Sequence, residues 1–357
     1  MTRILGIETS CDETSAAVLS GAGDDARLES LVILSQDVHR IFGGVVPEIA
    51  SRAHLTAIVP VVERAVADAG TTLREIDAVA VTNAPGLVGA LLVGVSFGKA
   101  VAFARGIPLV GVHHMEGHLF ATALDHADAV PPFTALLVSG GHTMLLDVEA
   151  WGAYRLLGST RDDAAGEAFD KVAKLLGLPY PGGRHVEALA REVVSNDLRF
   201  SRPMTRRDQR LGDADYFDMS FSGLKTAVLN AVRDAKLADA PEHGTDPQRA
   251  IRASIAAAFQ DALVDTLAEK TYRAAHAHGR TRVVLGGGVA CNRALGGRIA
   301  ERVAPLGGSV YAPAPRLATD NAAMIARAGL FRLERGDTAA LDLNAYASLP
   351  LPGLIAA

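Results

Sequence analysis

Apolar and polar positions along the chain fall into blocks that predict an α/β protein. Arg3–Ser20, RILGIETSCDETSAAVLS, reads as strand, polar turn and strand, with the acids Glu8, Asp12 and Glu13 at the turn, where each alone reads as a solvated turn acid. Leu31–Ser35 offers a third strand. Val45–Ala69 carries apolar residues at helical spacing and predicts a long helix broken or bent near Pro60. Asp77–Val81 is a buried-strand run, followed by the turn Asn83–Gly86 and a small-residue helix that reaches Arg105. Leu109–Val112 predicts one more short buried strand, and from Met115 the periodicity turns helical. Strand, glycine turn and helix in that order mark a βαβ unit.

The pattern then starts over. Phe133–Val148 is again strand, polar turn and strand, with Ser139–His142 at its tip, and Val283–Leu295 repeats the strand, turn and helix of Asp77–Leu92. An internal duplication of this kind implies two similar α/β lobes with a cleft between them. The expected division puts 1–112 and about 323–350 in an N-terminal lobe, and 113–322 in a C-terminal one. Between the landmarks lie a helix around Ala165–Leu176, a turn at Pro179–Gly183, a loop at Arg199–Gly212 and a long helix over Asp246–His278, started by Asp246 and Pro247. Towards the end, a strand at Ser309–Ala312 leads through the loop Pro313–Arg316 to a helix opening at Ala318–Met324.

Composition narrows the classes. With 357 residues, 49% of them hydrophobic, the chain can bury two substantial cores and is too apolar for disorder. No uninterrupted apolar run approaches the ~18 residues of a membrane span, and the N-terminus turns polar after one short strand. Neither membrane attachment nor secretion is expected, and the chain reads as cytoplasmic. Cys11 and Cys291 lie too far apart in sequence to suggest a disulfide framework or a metal knuckle, and read as small buried residues in tight turns. The net charge of −5 carries no global nucleic-acid signature. Any RNA contact must be local, and the densest basic run, Arg199, Arg202, Arg206, Arg207 and Arg210, reads either as a solvated loop or as a phosphate contact.

The candidate chemistry gathers at PLVGVHHMEGHLFAT, Pro108–Thr122. On a helix His114 and His118 project about 40° apart, the spacing that lets two imidazoles reach one metal ion, whereas His113 fits less well. Glu116 falls on the opposite side, against the HExxH metalloprotease pattern. Two histidines need a carboxylate, and Asp320 is the candidate, although an aspartate at a helix start is more often a cap. Such a set leaves coordination positions open, suits iron(II), is acceptable for zinc, and would supply a Lewis acid. The glycine turns at Leu137–Gly141, Tyr180–Gly183 and Gly286–Asn292 suit a nucleotide, because main-chain N–H groups can approach phosphate where no Cβ intervenes. No GxxxxGK[ST] loop is present and the first βα turn lacks GxGxxG.

Seven motifs in register carry a resemblance: ETSCDET at Glu8–Thr14, HHMEGH at His113–His118, LVSGGHT at Leu137–Thr143, AFDKVAKLLGLPYPGG at Ala168–Gly183, FSGLKT at Phe221–Thr226, GGGVACN at Gly286–Asn292 and ATDNAAM at Ala318–Met324. From about Arg3 to Leu330 the chain is similar to the TsaD family, the tRNA N6-adenosine threonylcarbamoyltransferases, once described as glycoproteases. The resemblance implies the two-lobed fold shared by actin, Hsp70 and sugar kinases. It implies transfer of threonylcarbamoyl from threonylcarbamoyl-AMP to N6 of adenosine 37 in tRNAs reading ANN codons, with a TsaB-like paralogue and a TsaE-like ATPase as partners. By motif, His114, His118 and Asp320 resemble the metal ligands, with iron(II) or zinc as the ion. Leu137, Val138, Ser139, Gly140, Gly141, Asp170, Gly183, Glu187 and Asn292 resemble the adenylate-binding positions. Glu13 is the candidate proton acceptor or positioning group. The family often reads PGGP where Arg184 stands here, which puts the loop around Glu187 in question. Two other classes compete: an actin-fold kinase or ATPase, which would hold magnesium through acids and tolerate loss of the histidines, and a metallopeptidase.

Overall fold

The computed structural model describes residues 2–206, 208–237 and 246–355. The chain divides into two compact units, Met1–Val130 with Pro313–Leu354, and Pro131–Ala312 with Ile355–Ala357. Each is built on one five-stranded sheet.

In the first unit, β1 (Thr2–Glu8), β2 (Glu13–Gly21) and β3 (Arg27–Ser35) form an antiparallel meander, and β4 (Ala78–Ala84) and β5 (Leu109–His113) add in parallel, giving the order β3-β2-β1-β4-β5. The strands read as near-continuous apolar runs because helices cover the sheet. The long helix α1 (Pro47–Asp68) starts with proline in its first turn and buries Ile58, Val61, Val62, Ala65 and Val66. It runs unbroken through Pro60, so of the expected break or bend the break does not occur. Pro60 lies on the exposed face, where the carbonyl it leaves unpaired can meet water.

Helix α2 (Val88–Arg105) buries Ala90, Leu91, Gly94, Val95, Gly98 and Ala102. A Cβ at Gly98 would stand 2.3 Å from a Val81 methyl, so the helix can lie this close to the sheet only with glycine there. Among the described residues α2 alone has the length and composition of a membrane span, which the sequence reading did not credit to any segment. Its inner face belongs to the core of this unit.

Helix α3 (His114–Ala121) follows β5 directly, and every one of its residues is buried. The short α9 (Pro315–Ala318) occupies part of what reads as a loop in sequence, and α10 (Ala322–Glu334) lies on β1. A Cβ at Gly6 would stand 2.4 Å from the Ala322 carbonyl oxygen, which measures how closely helix and strand approach.

The second unit repeats the plan. β6 (Phe133–Val138), β7 (Thr143–Ala150) and β8 (Ala153–Ser159) form the meander, and β9 (Arg282–Gly286) and β10 (Ser309–Tyr311) add in parallel, giving β10-β9-β6-β7-β8. Replacing β6 to β10 by β1 to β5 reproduces the first order, so the duplication read from the sequence is a duplication of topology. Helices α4 (Ala165–Leu175), α5 (Gly183–Ala190), α6 (Ser222–Asp234), α7 (Asp246–Ala277) and α8 (Arg293–Val303) complete the unit. The strand β8 and the helices α5 and α6 are not anticipated by periodicity. For α6 the reason is visible: its first amides, from Phe221 and Ser222, donate to the Asp162 carboxylate at 2.7 and 3.2 Å, a cap from some sixty positions away.

The division falls elsewhere than expected. Residues 113–130 and 313–322 go with the first unit, because β5 is hydrogen-bonded to β4 and α3 packs on α10.

Candidate metal centre and glycine-rich loops

Strand β5 carries the chain to His113, whose Nε2 lies 3.2 Å from the Leu349 carbonyl oxygen. The helix that follows presents His114 and His118 on one face, their rings edge-on at 84° with centroids 4.7 Å apart. Glu116 points the other way, as its phase requires, into a buried bidentate pair with Arg332 at 2.6 and 3.0 Å.

Asp320 arrives just before α10, and it is not the cap. Asn321 takes that role, its side chain accepting from the Met324 amide at 3.0 Å. Asp320 is thereby left to its neighbours: its Oδ1 lies 3.3 Å from Nε2 of His114 and 3.3 Å from Nε2 of His118. The expected division puts Asp320 and both histidines in the second lobe; in the structure all three belong to the first unit.

These three residues can hold a metal ion, each offering a ligand atom within 4.8 Å of the others. Two ligands bonded to one ion at ~2.1 Å in tetrahedral geometry sit roughly 3.4 Å apart, close to the separations here. His118 is fully buried, its Nδ1 has no hydrogen-bond partner among the described residues, and its Nε2 faces the Asp320 carboxylate, so that acid is what holds the ring. Burial pushes the Asp320 carboxyl up, but the His114 charge and hydrogen bonds from both rings outweigh it and hold it below the usual carboxylate range. Burial pulls His114 down, and the charges of Asp320 and Glu8 overcome that and hold it well above its ordinary value. Burial also lowers His118, where Asp320 does not compensate. The donor set and its charge therefore fit a divalent cation.

The acids of the first hairpin divide. Glu13, at the start of β2, is half-buried, and burial together with the charges of Asp320 and Asp12 raises its carboxyl well above the usual range. Glu8 is fully buried, which overturns its reading as a solvated turn acid. Cys11 and Cys291 are half-buried rather than buried.

Comparison with known proteins adds to this geometry. The family model for TsaD, tRNA N6-adenosine threonylcarbamoyltransferase, matches residues 27–327. The proteins of that name from Gemmatimonas aurantiaca and Magnetococcus marinus are 65% and 50% identical to the chain, covering 99% and 98% of it and 98% of each relative. The chain belongs to the TsaD family. Its class is therefore that of an acyltransferase acting on tRNA. Among solved structures, HypF from T. kodakarensis aligns over 94% of this chain and 48% of its own with a TM-score of 0.59 at 15% identity. The activator of the 2-hydroxyisocaproyl-CoA dehydratase from Clostridium difficile aligns over 94% of this chain and 97% of its own at 0.51 and 14%. Those likenesses concern the fold alone, the two-lobed α/β architecture of the actin type.

The positions at which the TsaD resemblance implies adenylate contacts all lie in the second unit. Leu137 and Val138 end β6, and Ser139 turns the chain, its Oγ accepting from the His142 amide at 3.1 Å. A Cβ at Gly140 or Gly141 would meet nothing within 4 Å, whereas one at Gly287, at φ +91°, would stand 2.3 Å from the Val138 carbonyl oxygen. Asp170 accepts from the Gly182 amide at 2.6 Å, and Gly183 opens α5. Glu187 accepts from the Arg293 amide at 3.1 Å and pairs with Arg191. Asn292 caps α8 and donates to Gln260 at 3.0 Å, a buried partner that no sequence motif flags. Arg184, the departure from PGGP, is the second residue of α5, where no intrahelical amide bond is required, so proline or arginine fits the same turn.

Part of the arginine run is committed to the fold. Arg202 pairs with Asp265 of α7 at 2.7 and 3.0 Å, and Arg206 reaches Asp208 and Asp215 at 3.5 and 3.7 Å. Arg199 donates to nearby carbonyls, and Arg207 lies outside the described residues.

Proposed function

We propose that the chain transfers threonylcarbamoyl from threonylcarbamoyl-AMP to N6 of adenosine 37 in tRNAs reading ANN codons, in the cytoplasm, with a TsaB-like paralogue and a TsaE-like ATPase as partners. The observation that supports this most is the convergence of His114, His118 and Asp320, with both rings buried and both Nε2 atoms turned to the same carboxylate oxygen. In this reading these three hold one divalent ion, iron(II) or zinc, which supplies Lewis-acid polarisation of a carbonyl or phosphoryl oxygen when bound.

The chain's own groups do the rest. Open space above Gly140 and Gly141 lets phosphate oxygens approach the main-chain amides of the Leu137–Gly141 turn. Asp170 and Glu187 each keep acceptor capacity beyond their present partners for ribose hydroxyls, and Asn292, held by Gln260, offers a base or phosphate contact. The adenosine N6 lone pair attacks the carbamoyl carbon, a C–N bond forms, and the bond to the adenylate phosphate oxygen breaks with AMP leaving. The attacking amine then loses a proton, and Glu13, with its raised carboxyl affinity for protons, accepts it.

The test offers the purified protein, with its two partners, threonylcarbamoyl-AMP and unmodified tRNA, and separately ATP or a protein substrate. Modified adenosine found by nucleoside mass spectrometry is the expected result. ATP turnover that survives His114→Ala, with no modified adenosine, overturns the reading in favour of a kinase or ATPase.

A further inference from the structure

Glu8, at the end of β1, takes no part in the chemistry above, yet it is among the most completely enclosed acids of the molecule. Its Oε1 accepts from the Ser10 amide at 2.5 Å. Its Oε2 accepts from Thr82 Oγ1 at 2.6 Å and lies 3.1 Å from Nδ1 of His114. Parallel pairing of β1 with β4, Ile7 beside Val81, sets Glu8 next to Thr82 at the strand ends, and His114 follows the end of β5. The carboxylate is thus anchored by the ends of adjacent strands rather than by a flexible loop. The opposite nitrogen of the same ring, Nε2, faces Asp320.

An ionised carboxylate only accepts hydrogen bonds, so contact with Glu8 requires the hydrogen on Nδ1 and leaves the Nε2 lone pair for a metal. Ser10 Oγ, 3.2 Å from the same Nδ1, can turn its lone pair to the same hydrogen. His118 has no equivalent partner. We infer that Glu8 is a positioning residue that fixes the tautomer and ring orientation of His114 for a divalent cation, so that one imidazole is preset and the other settles on the ion. The inference rests on the metal reading above. Glu8 and Asp320 together also bring two negative charges to balance the two positive ones of the cation.

The test is cobalt(II) titration of the metal-free protein, followed by d–d absorption. Glu8→Gln, close to isosteric, is expected to weaken cobalt binding about 10- to 100-fold. Thr82→Val, which removes a neighbour of Glu8 without touching His114, should stay within about threefold of wild type. Wild-type binding that Glu8→Gln leaves unchanged, with melting curves alike, overturns the proposal alone. A wild type that takes up no cobalt overturns the metal reading and the proposal with it. Nitrogen NMR of His114 in the zinc-loaded wild type decides the matter even if Glu8→Gln does not fold: hydrogen on Nδ1 supports the proposal, and zinc on Nδ1 overturns it.

Discussion

Two alanine substitutions in the glycine turns of the second unit separate packing from ligand contact. Gly287 sits at φ +91°, where an L-residue costs about 1–2 kcal/mol, and its added Cβ would press on the Val138 carbonyl oxygen at 2.3 Å. Overpacking of that kind costs about 1–3 kcal/mol more. Gly287→Ala should therefore destabilise the unit by about 2–5 kcal/mol, a fall in Tm of roughly 4–20 °C at about 2–4 °C per kcal/mol. Gly140→Ala meets no protein atom within 4 Å and lies outside the left-handed region. Its stability should stay within about 0.5 kcal/mol of wild type, or rise slightly through a less flexible unfolded chain. If the open space is filled by the adenylate, its kcat/KM for threonylcarbamoyl-AMP should still fall at least about tenfold, or ~1.4 kcal/mol. Differential scanning calorimetry and single-turnover transfer read the two quantities independently. Normal transfer by a normally stable Gly140→Ala protein would refute the assignment of this turn to the adenylate.

Three further outcomes are expected. Asp320→Ala and His118→Ala should each purify with less than about a tenth of the wild-type metal content by elemental analysis, because two remaining ligands leave the ion weakly held; full occupancy in either refutes the triad. Arg332→Ala removes two charged donors from the fully buried Glu116 carboxylate and should cost about 3–5 kcal/mol, seen as a lower Tm; a shift under about 2 °C refutes the pair's structural role. Lys270 is fully buried, its Nζ donating to the Asp215 and Tyr216 carbonyls, and burial, then the Arg273 charge, bring its pKa from 10.5 down to about 8. Between those values the unfolded chain holds a proton that the native state has released, so this residue makes stability rise with pH across that window. Denaturant unfolding at several pH values should show the rise in wild type relative to Lys270→Met, and parallel curves would refute it.

Much of the fold was legible because each unit alternates elements whose periods differ. The meander strands, the βα turns and the long helices carry their own patterns, and the restart at Phe133 exposed the duplication. What failed was set by partners distant in sequence. The start of α6 lacks a local cap because Asp162 supplies one, and the lobe boundary was misplaced because α3, which follows β5 directly, packs on α10 of the first unit. The histidines were legible from spacing alone. Asp320 was legible as the candidate carboxylate but equally as a helix cap, and backbone geometry, not residue type, gives the cap to Asn321 and frees its neighbour. Glu8 was misread because an acid beside a turn is ordinarily solvated; nothing in ETSCDET tells that β1 carries it into the interior.

The duplicated hairpins show how one topology carries two chemistries. The β1–β2 turn and the β6–β7 turn occupy corresponding places in sheets of identical strand order. In the first, burial and then the crowding charges of Asp320, Asp12 and Glu8 raise the Glu13 carboxyl. In the second, the tip is Ser139 and two glycines with nothing above them, and charge is replaced by exposed main-chain amides. A turn dense with carboxylates attracts cations and takes up protons, whereas a turn of bare amides receives anions. The sheets keep the backbone in place and neither dictates the other's loop. On the proposed function, a division of labour between cation and phosphate would reside in a handful of turn residues, and exchanging the two tips should then abolish transfer while leaving both sheets folded.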